Sequence, residues 1–384
     1  MSEKLYDGDS FLKEFTATVL ACEPYKNGWS VLLDKTAFFP EAGGQKADTG
    51  TLNDARVSDV LISEENIYHI TDKPFNEGET VTGKIDFDRR FDFMQQHSAE
   101  HIVSGIAHSL YGCENVGFHL SDEIVTLDFD KALNHEQLLE IEEIANRKVF
   151  ECVKFNCYYP DSETLEKLSY RSKKELEGVV RIVEIEGTDM CACCAPHVKN
   201  AGQIGLIKLL DTEKLRGGIR IELKAGGRAL ADYNEKYENV RKISCDLAVS
   251  QNETALGVER LLGTVREQKA EITSLRHEKI KIKTENFKAN SQITALFEDN
   301  FSVKDLQIFA DALHKSFGGI RAVFSQNGNG FLFCLCGGDG FDEFFAEFKS
   351  TLSVKGGGRN GMAQGTVNAD RKEIEKFFAD KSSF

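Results

Sequence analysis

The alternation of apolar and polar positions changes period several times along this chain, and each change marks an element. Residues 16–20 (TATVL), 29–33 (WSVLL), 66–70 (NIYHI) and 80–85 (TVTGKI) alternate or run apolar between Gly, Asp and Asn turns. That is the pattern of short strands, and it predicts a small, mostly antiparallel β-barrel over residues 1–88. From Phe93 the period lengthens: Phe93, Ala99, Ile102, Val103, Ile106 and Leu110 recur at helical spacing. Residues 116–120, 124–129 and 179–185 read as strands, 203–210 and 219–223 as paired strands, and Leu138, Ile141, Ile144, Ala145 and Val149 line one face of a helix over 134–150. Helices mixed with antiparallel strands make residues 89–231 an α+β domain.

Residues 232–290 carry no proline, few aromatics and many charges, and predict a long helix. Val258, Leu261, Val265, Ile272, Leu275 and Ile282 fall on steps of three and four once Gln268 and Lys279 are counted in the same seam. This fits a short coiled-coil linker or helical hairpin over 232–292, and equally a long helix packed on its own domain. Its end holds the clearest basic strip, Arg276, Lys279, Lys281, Lys283 and Lys288, although such runs are usually solvated faces. Residues 293–384 predict a compact α/β unit with helices over 305–317 and 341–352, strands over 320–324 and 330–335, and a glycine-rich loop over 355–365.

The chain's 384 residues leave room for roughly two or three such domains. Neither a signal-peptide pattern at the start nor an apolar run of about 18 residues is present, so a cytoplasmic location is expected. Ten cysteines in a large chain without a secretion signal fit free thiols and a metal site better than a disulfide scaffold. A net charge of -15 argues against indiscriminate nucleic-acid binding, yet a local basic strip can still dock one particular RNA.

Two short stretches carry the candidate chemistry: His97-Ser98-Ala99-Glu100-His101 and Cys193-Cys194-Ala195-Pro196-His197. His97 and His101 stand one helical turn apart on one face. Pro196 interrupts any helix, so Cys193 and His197 are expected from a loop folded over an ion. Three imidazoles and a thiolate form a tetrahedral set suited to zinc. A His-x-x-x-His alone is more often surface or core than ligand, and the downstream Cys-x-x-x-His reverses that balance. Glu100 is either the carboxylate that orients or deprotonates a water, or an exposed helix residue. Gly43 and Gly44 permit positive φ and close approach of another backbone, or simply a tight hairpin turn.

The arrangement resembles the editing domain of alanyl-tRNA synthetase and the free-standing alanyl-tRNA editing proteins of the AlaX family, in whose long form these segments occur in the same order. In that family His-x-x-x-His and Cys-x-x-x-His-Val bind zinc, which implies His97, His101, Cys193 and His197 as ligands. Residues 36–45 resemble the family's glycine-rich motif, Thr-x-Phe-Tyr-x-Glu-x-Gly-Gly-Gln, with Phe39 where Tyr is usual. The likeness places that loop beside the editing pocket, with Gln45 and His119 as further pocket candidates. Residues 356–365 match the signature Gly-Gly-Gly-Arg-x-x-Met-Ala-Gln-Gly of the DHH-associated domain that recognises tRNA. RNA contacts are therefore implied at Gly43, Gly44, Arg216, Arg220, Lys355, Gly356, Gly357, Gly358, Arg359 and Gln364.

The resemblance implies an aminoacyl-tRNA deacylase that acts in trans, because no aminoacylation domain precedes the barrel. Its expected partner is tRNA(Ala), and the helical linker and C-terminal domain could pair into a homodimer. Its expected reaction is hydrolysis of the ester in Ser-tRNA(Ala), and by the same argument Gly-tRNA(Ala). An alanine-charging pocket cannot strongly reject a smaller residue or one that adds only a hydroxyl, so a second hydrolytic site is needed. Two departures bear on mechanism: many synthetase editing domains carry Thr at the position of Glu100, and Cys194-Ala195-Pro196 replaces Gly-Gly-Thr. Cys191 and Cys194 are spare thiols beside the ligand set. Editing of another seryl-tRNA such as Ser-tRNA(Thr), or a non-catalytic zinc-stabilised tRNA-binding role, are the alternative readings.

Overall fold

The computed structural model describes residues 2–172 and 179–381, and the chain divides into two compact units, Met1–Lys242 and Ile243–Phe384. Six strands form the main sheet in the N-terminal part of the first unit: β1 (Glu14–Tyr25), β2 (Gly28–Leu33), β3 (Gly50–Leu52), β4 (Ala55–Ser63), β5 (Asn66–Thr71) and β6 (Thr80–Ile85). They pair antiparallel in the order β1-β2-β5-β4-β3-β6, and β6 pairs back to β1. Val19, Val31, Leu33, Phe38, Leu52, Val60, Ile67 and Val81 fill the interior. Strands β3 and β4 are not foreseen in the sequence reading. A bulge between Val57 and Asp59 shifts the phase of β4, so Val57 and Val60 both point inward and the period of two is broken.

His69 on β5 is wholly buried. The Val31 carbonyl can only accept, so His69 Nδ1 donates to it at 3.1 Å and Nε2 accepts from the Thr36 hydroxyl at 2.8 Å. Burial pushes this imidazole from its ordinary 6.5 down to about 4. The unfolded chain therefore binds the proton more readily. The stability that neutral His69 permits is complete above pH 6.5 and is lost as pH falls from 6.5 toward 4. The loss amounts to about 3 kcal/mol. Denaturant unfolding at several pH values should show this slope in the wild type and a shallower one in His69→Gln.

Downstream come α1 (Phe87–Tyr111), β7 (Asn115–Leu120), β8 (Val125–Phe129), α2 (His135–Phe150), β9 (Phe155–Tyr158), β10 (Ile182–Ile185), β11 (Asp189–Ala192), β12 (Ile207–Leu215), β13 (Gly218–Ala225) and α3 (Gly226–Leu247). One sheet has the order β12-β13-β8-β7 and a smaller one β9-β10-β11. A capping box between Asn134 and Gln137 starts α2, whose Leu138, Ile141, Ala145 and Val149 are buried as their spacing foretold. The β-barrel strands and the α+β part are joined through a buried ion pair. Arg90 on α1 meets Asp48 and also donates to the carbonyls of Ser10 (3.1 Å) and Ala37 (2.7 Å). Removing one partner of so buried a pair would strand the other charge.

The second unit contains α4 (Thr254–Glu285), β14 (Ile293–Glu298), α5 (Val303–Phe317), β15 (Ile320–Asn327), β16 (Gly330–Cys336), α6 (Phe341–Thr351), β17 (Val354–Arg359), β18 (Met362–Val367) and α7 (Arg371–Lys381). Its sheet has the order β14-β15-β16-β18-β17. Three expectations need correction. The single long helix is two, α3 and α4, broken where Ala248 adopts φ 51°. The basic strip is largely neutralised within the chain, because Arg276 pairs with Asp305 and both Lys279 and Lys283 pair with Glu298. The glycine-rich loop is a β-hairpin, with β17 at the sheet edge and Asn360-Gly361 at its tip. Near the end of α4, Ile280 joins Phe301, Leu306 and Phe309 in the core. Five of the seam residues face outward, with Val258, Leu261, Ile272, Leu275 and Ile282 each at least 41 % exposed, while Val265 is half-buried.

Candidate metal centre

Helix α1 starts at Asp86, whose side chain accepts from Arg89 N, and stops at Gly112 in the left-handed region. Almost every residue from Phe93 to Ala107 is buried, so both histidines lie deep in the unit. The second half of the cluster follows directly on β11. Arg181 holds this loop by donating Nη1 to the carbonyls of Cys193 (3.0 Å) and Ala195 (2.9 Å). Val198 N donates to Ser98 Oγ (3.2 Å), and Ser10 Oγ donates to the His197 carbonyl (2.8 Å). Clamped in this way, the loop lies against the helix.

The donor atoms of His97, His101, Cys193 and His197 all lie within 4.8 Å of one another. His97 Nε2 is 3.6 Å and His197 Nε2 3.4 Å from Cys193 Sγ. The outer nitrogens are engaged elsewhere: His97 Nδ1 donates to Gln45 Oε1 at 2.8 Å, and His197 Nδ1 pairs with Ser98 Oγ at 3.0 Å. Such contacts set ring orientation and tautomer so that Nε2 faces the cluster. Burial works to raise the Cys193 thiol, but charge on His97 and hydrogen bonds from His101 and His197 outweigh it and hold the thiol well below its ordinary value. Burial pushes His197 down to about 3, so its ring is neutral. A thiol sulfur and three imidazoles converging on one point is the donor set that zinc takes, so these four residues fit the ion.

A family model described as "Threonyl and Alanyl tRNA synthetase second additional domain" matches residues 180–222, which include Cys193 and His197. One described as "tRNA synthetases class II (A)" matches residues 11–89. Alanyl-tRNA editing protein Aarsd1-A of Xenopus laevis is 30% identical, over 96% of this chain and 95% of its own. Alanyl-tRNA editing protein Aarsd1 of Danio rerio is 28% identical, over 97% of this chain and 96% of its own. The alanine–tRNA ligase of Pyrococcus furiosus is 33% identical over 97% of this chain, which spans only 42% of that longer enzyme.

The chain belongs to the alanyl-tRNA editing protein family.

Within this family member, Glu100 is 2 % exposed and not a solvated helix carboxylate. Its Oε1 accepts from Ser104 Oγ (2.8 Å) and Asn115 Nδ2 (2.5 Å), while Oε2 lies 3.7 Å from His101 Nε2, on the side of the cluster. Gln45 is fully buried, with its oxygen on His97 and its Nε2 without a protein partner. The turn that presents it closes between Ala42 and Gln45 and also lies against β7: Leu120 N donates to Gly44 O at 2.8 Å. Tight turn and close approach thus occur together. Gly44 has φ 83°, and a Cβ there would sit 2.5 Å from the Phe118 carbonyl oxygen. Gly44→Ala should cost about 1–3 kcal/mol in denaturant unfolding.

His119 is exposed on β7, one position after Phe118, whose ring centroid lies 4.7 Å from that of His97. Strand alternation turns His119 away from the face that Phe118 uses. Arg216 is exposed at the β12–β13 turn, and Arg220 forms a paired ion bridge to Asp128 at 2.7 Å for each contact. Gly43 is exposed to no neighbour at its Cβ position. In the second unit Lys355, Gly356, Gly357, Gly358 and Arg359 are exposed along β17, and Gln364 lies on β18 opposite Gly357, its Oε1 accepting from Gln307 Nε2. Cys191 is buried near His101 and Asp189, and Cys194 is exposed. Sequence reasoning missed Ser98, Ser104, Asn115, Arg181 and Asp189. Ser98 lies inside the first motif and could have been noticed there; the others sit on separate elements with no pattern to flag them.

Proposed function

We propose that this protein hydrolyses the ester of Ser-tRNA(Ala), and of Gly-tRNA(Ala), in trans at a zinc-holding cleft. The observation that carries the reading is the buried Glu100 carboxylate beside the His97, His101, Cys193 and His197 cluster, in a chain about 30% identical to proteins named for alanyl-tRNA editing over nearly their full length. Zinc bound by those four residues would supply a fixed positive field for the ester carbonyl. Four protein donors would satisfy zinc without a bound water, so the water is assigned to Glu100. Held by Ser104 and Asn115, Glu100 takes a proton as the water oxygen bonds to the carbonyl carbon. The bond to the ribose oxygen then breaks, and that oxygen receives the proton. Cys193 is the partly exposed member of the cluster and marks the side from which the aminoacylated end enters.

The second unit is read as the tRNA-binding part of a long-form editing protein, with Lys355 and Arg359 on the exposed edge of its sheet meeting phosphates. Among the described residues no helix is long and apolar enough to cross a membrane. The deciding experiment offers purified Ser-tRNA(Ala), Gly-tRNA(Ala), Ala-tRNA(Ala) and Ser-tRNA(Thr) without ATP. Serine release from tRNA(Ala) with Ala-tRNA(Ala) spared supports the reading. Release only from Ser-tRNA(Thr) would reassign the tRNA, and binding without release would leave a carrier.

A further inference from the structure

The three imidazoles of the cluster are not supported alike. Gln45 offers His97 an amide oxygen and Ser98 offers His197 a hydroxyl, both neutral. His101 instead turns Nδ1 toward a carboxylate, with Asp189 Oδ2 at 3.5 Å and both side chains almost wholly buried. Asp189 is itself gripped by Arg171, Nε to Oδ1 at 2.8 Å and Nη2 to Oδ2 at 2.7 Å. Arg171 is tied by its backbone to either side of Cys191, donating N to the Met190 carbonyl at 2.8 Å and accepting from Ala192 N at 3.0 Å. The guanidinium, the carboxylate and the strand that leads into Cys193 thus form one rigid piece.

Helix α1 makes room for this piece. One turn beyond His101 stands Gly105, and a Cβ there would fall 2.6 Å from Asp189 Cβ and 2.8 Å from the Thr188 carbonyl oxygen. The bare helix surface lets β11 come close enough for an aspartate, the shorter carboxylate, to reach the imidazole. Apolar residues of the same volume often stabilise as well as a buried charged pair, so stability alone does not account for the charges here.

We infer that Asp189, held by Arg171, is the positioning residue for His101. It keeps the ring with Nδ1 toward the carboxylate and Nε2 on the side of the cluster, and its charge strengthens this imidazole as a donor beyond the other two. His101 is then the ligand on which affinity for the ion depends most among the three histidines. The inference rests on the metal-binding reading above, and assigns Asp189 and Arg171 a role through His101 and not on the ester itself.

The test measures zinc affinity of the full-length protein by competition with a chromophoric chelator, and the visible spectrum of the cobalt-substituted protein. Wild type should hold one zinc. Asp189→Asn keeps the side-chain shape but loses the charge, and should bind zinc roughly 10–100-fold more weakly with an altered cobalt spectrum. Arg171→Gln, which leaves the carboxylate in place but unheld, should move affinity the same way by a smaller factor. Circular dichroism of the metal-free forms checks that each variant is folded; should Asp189→Asn fail that check, the Arg171→Gln affinity decides. Zinc affinity and cobalt spectrum indistinguishable from wild type in the folded variant would overturn the positioning role. Absence of zinc from the wild type would instead bring down the metal reading itself, so the two failures are distinct.

Discussion

A Cys193→Ala protein is expected to lose its zinc on dialysis and to release no measurable serine from Ser-tRNA(Ala). The change removes the only anionic donor among the four and leaves His97, His101 and His197 as three neutral-type donors, one short of a tetrahedral set. The thiol is held well below its ordinary value against the effect of burial, by His97 and by hydrogen bonds from His101 and His197, which favours the thiolate as the donor that is lost. Structural zinc sites are worth about 10–16 kcal/mol in small zinc-binding peptides, so even a fraction of that is a large part of a domain's stability. The helix and the loop, which meet at this cluster and at the Ser98 contacts, should loosen together. Metal analysis, thermal unfolding and the deacylation assay on one preparation check the three consequences. A variant that retained both zinc and turnover would remove Cys193 from the site.

Glu100→Gln is expected to separate chemistry from metal binding. Glutamine has the same shape, and its carbonyl oxygen can still accept from Ser104 Oγ and Asn115 Nδ2, so the packing of α1 against β7 should survive. What disappears is a carboxylate able to take a proton on the side facing His101 Nε2. Loss of a positioned general base lowers the rate by about 10²–10⁴-fold, and the single-turnover rate of serine release should fall in that range while zinc content stays at the wild-type value. A rate near wild type would assign the water to another group, and loss of zinc along with the rate would show that Glu100 acts through the ligands.

Some of this was legible along the chain. The interval between His97 and His101 is a property of one helix, and apolar residues at the same period mark that helix independently. The break imposed by Pro196 likewise indicates that Cys193 and His197 lie on a loop, which they do. Other features misled for identifiable reasons. The cations of α4 look like an RNA-binding strip because charge along a helix carries no information about Asp305 and Glu298, which lie on other elements and take up three of them. Three successive glycines suggest a loop because glycine weakens strand propensity, yet β18 supplies the hydrogen-bonding partner that makes residues 354–359 an edge strand. The bulge in β4 hides a strand because a single extra residue inverts the in-out alternation.

Periodicity and residue type are local, and by themselves they determined which segments fold as helix or strand, which four side chains have the chemistry to share an ion, and which family the motifs resemble. Orientation across elements is not local. Only the tertiary structure decided that Glu100 is buried against Ser104 and Asn115 instead of facing water, that His119 points away from the cluster, and that Asp189 reaches His101 across the space left by Gly105. Each of these depends on the distance between two backbones brought together by packing, and no spacing within one segment encodes that distance.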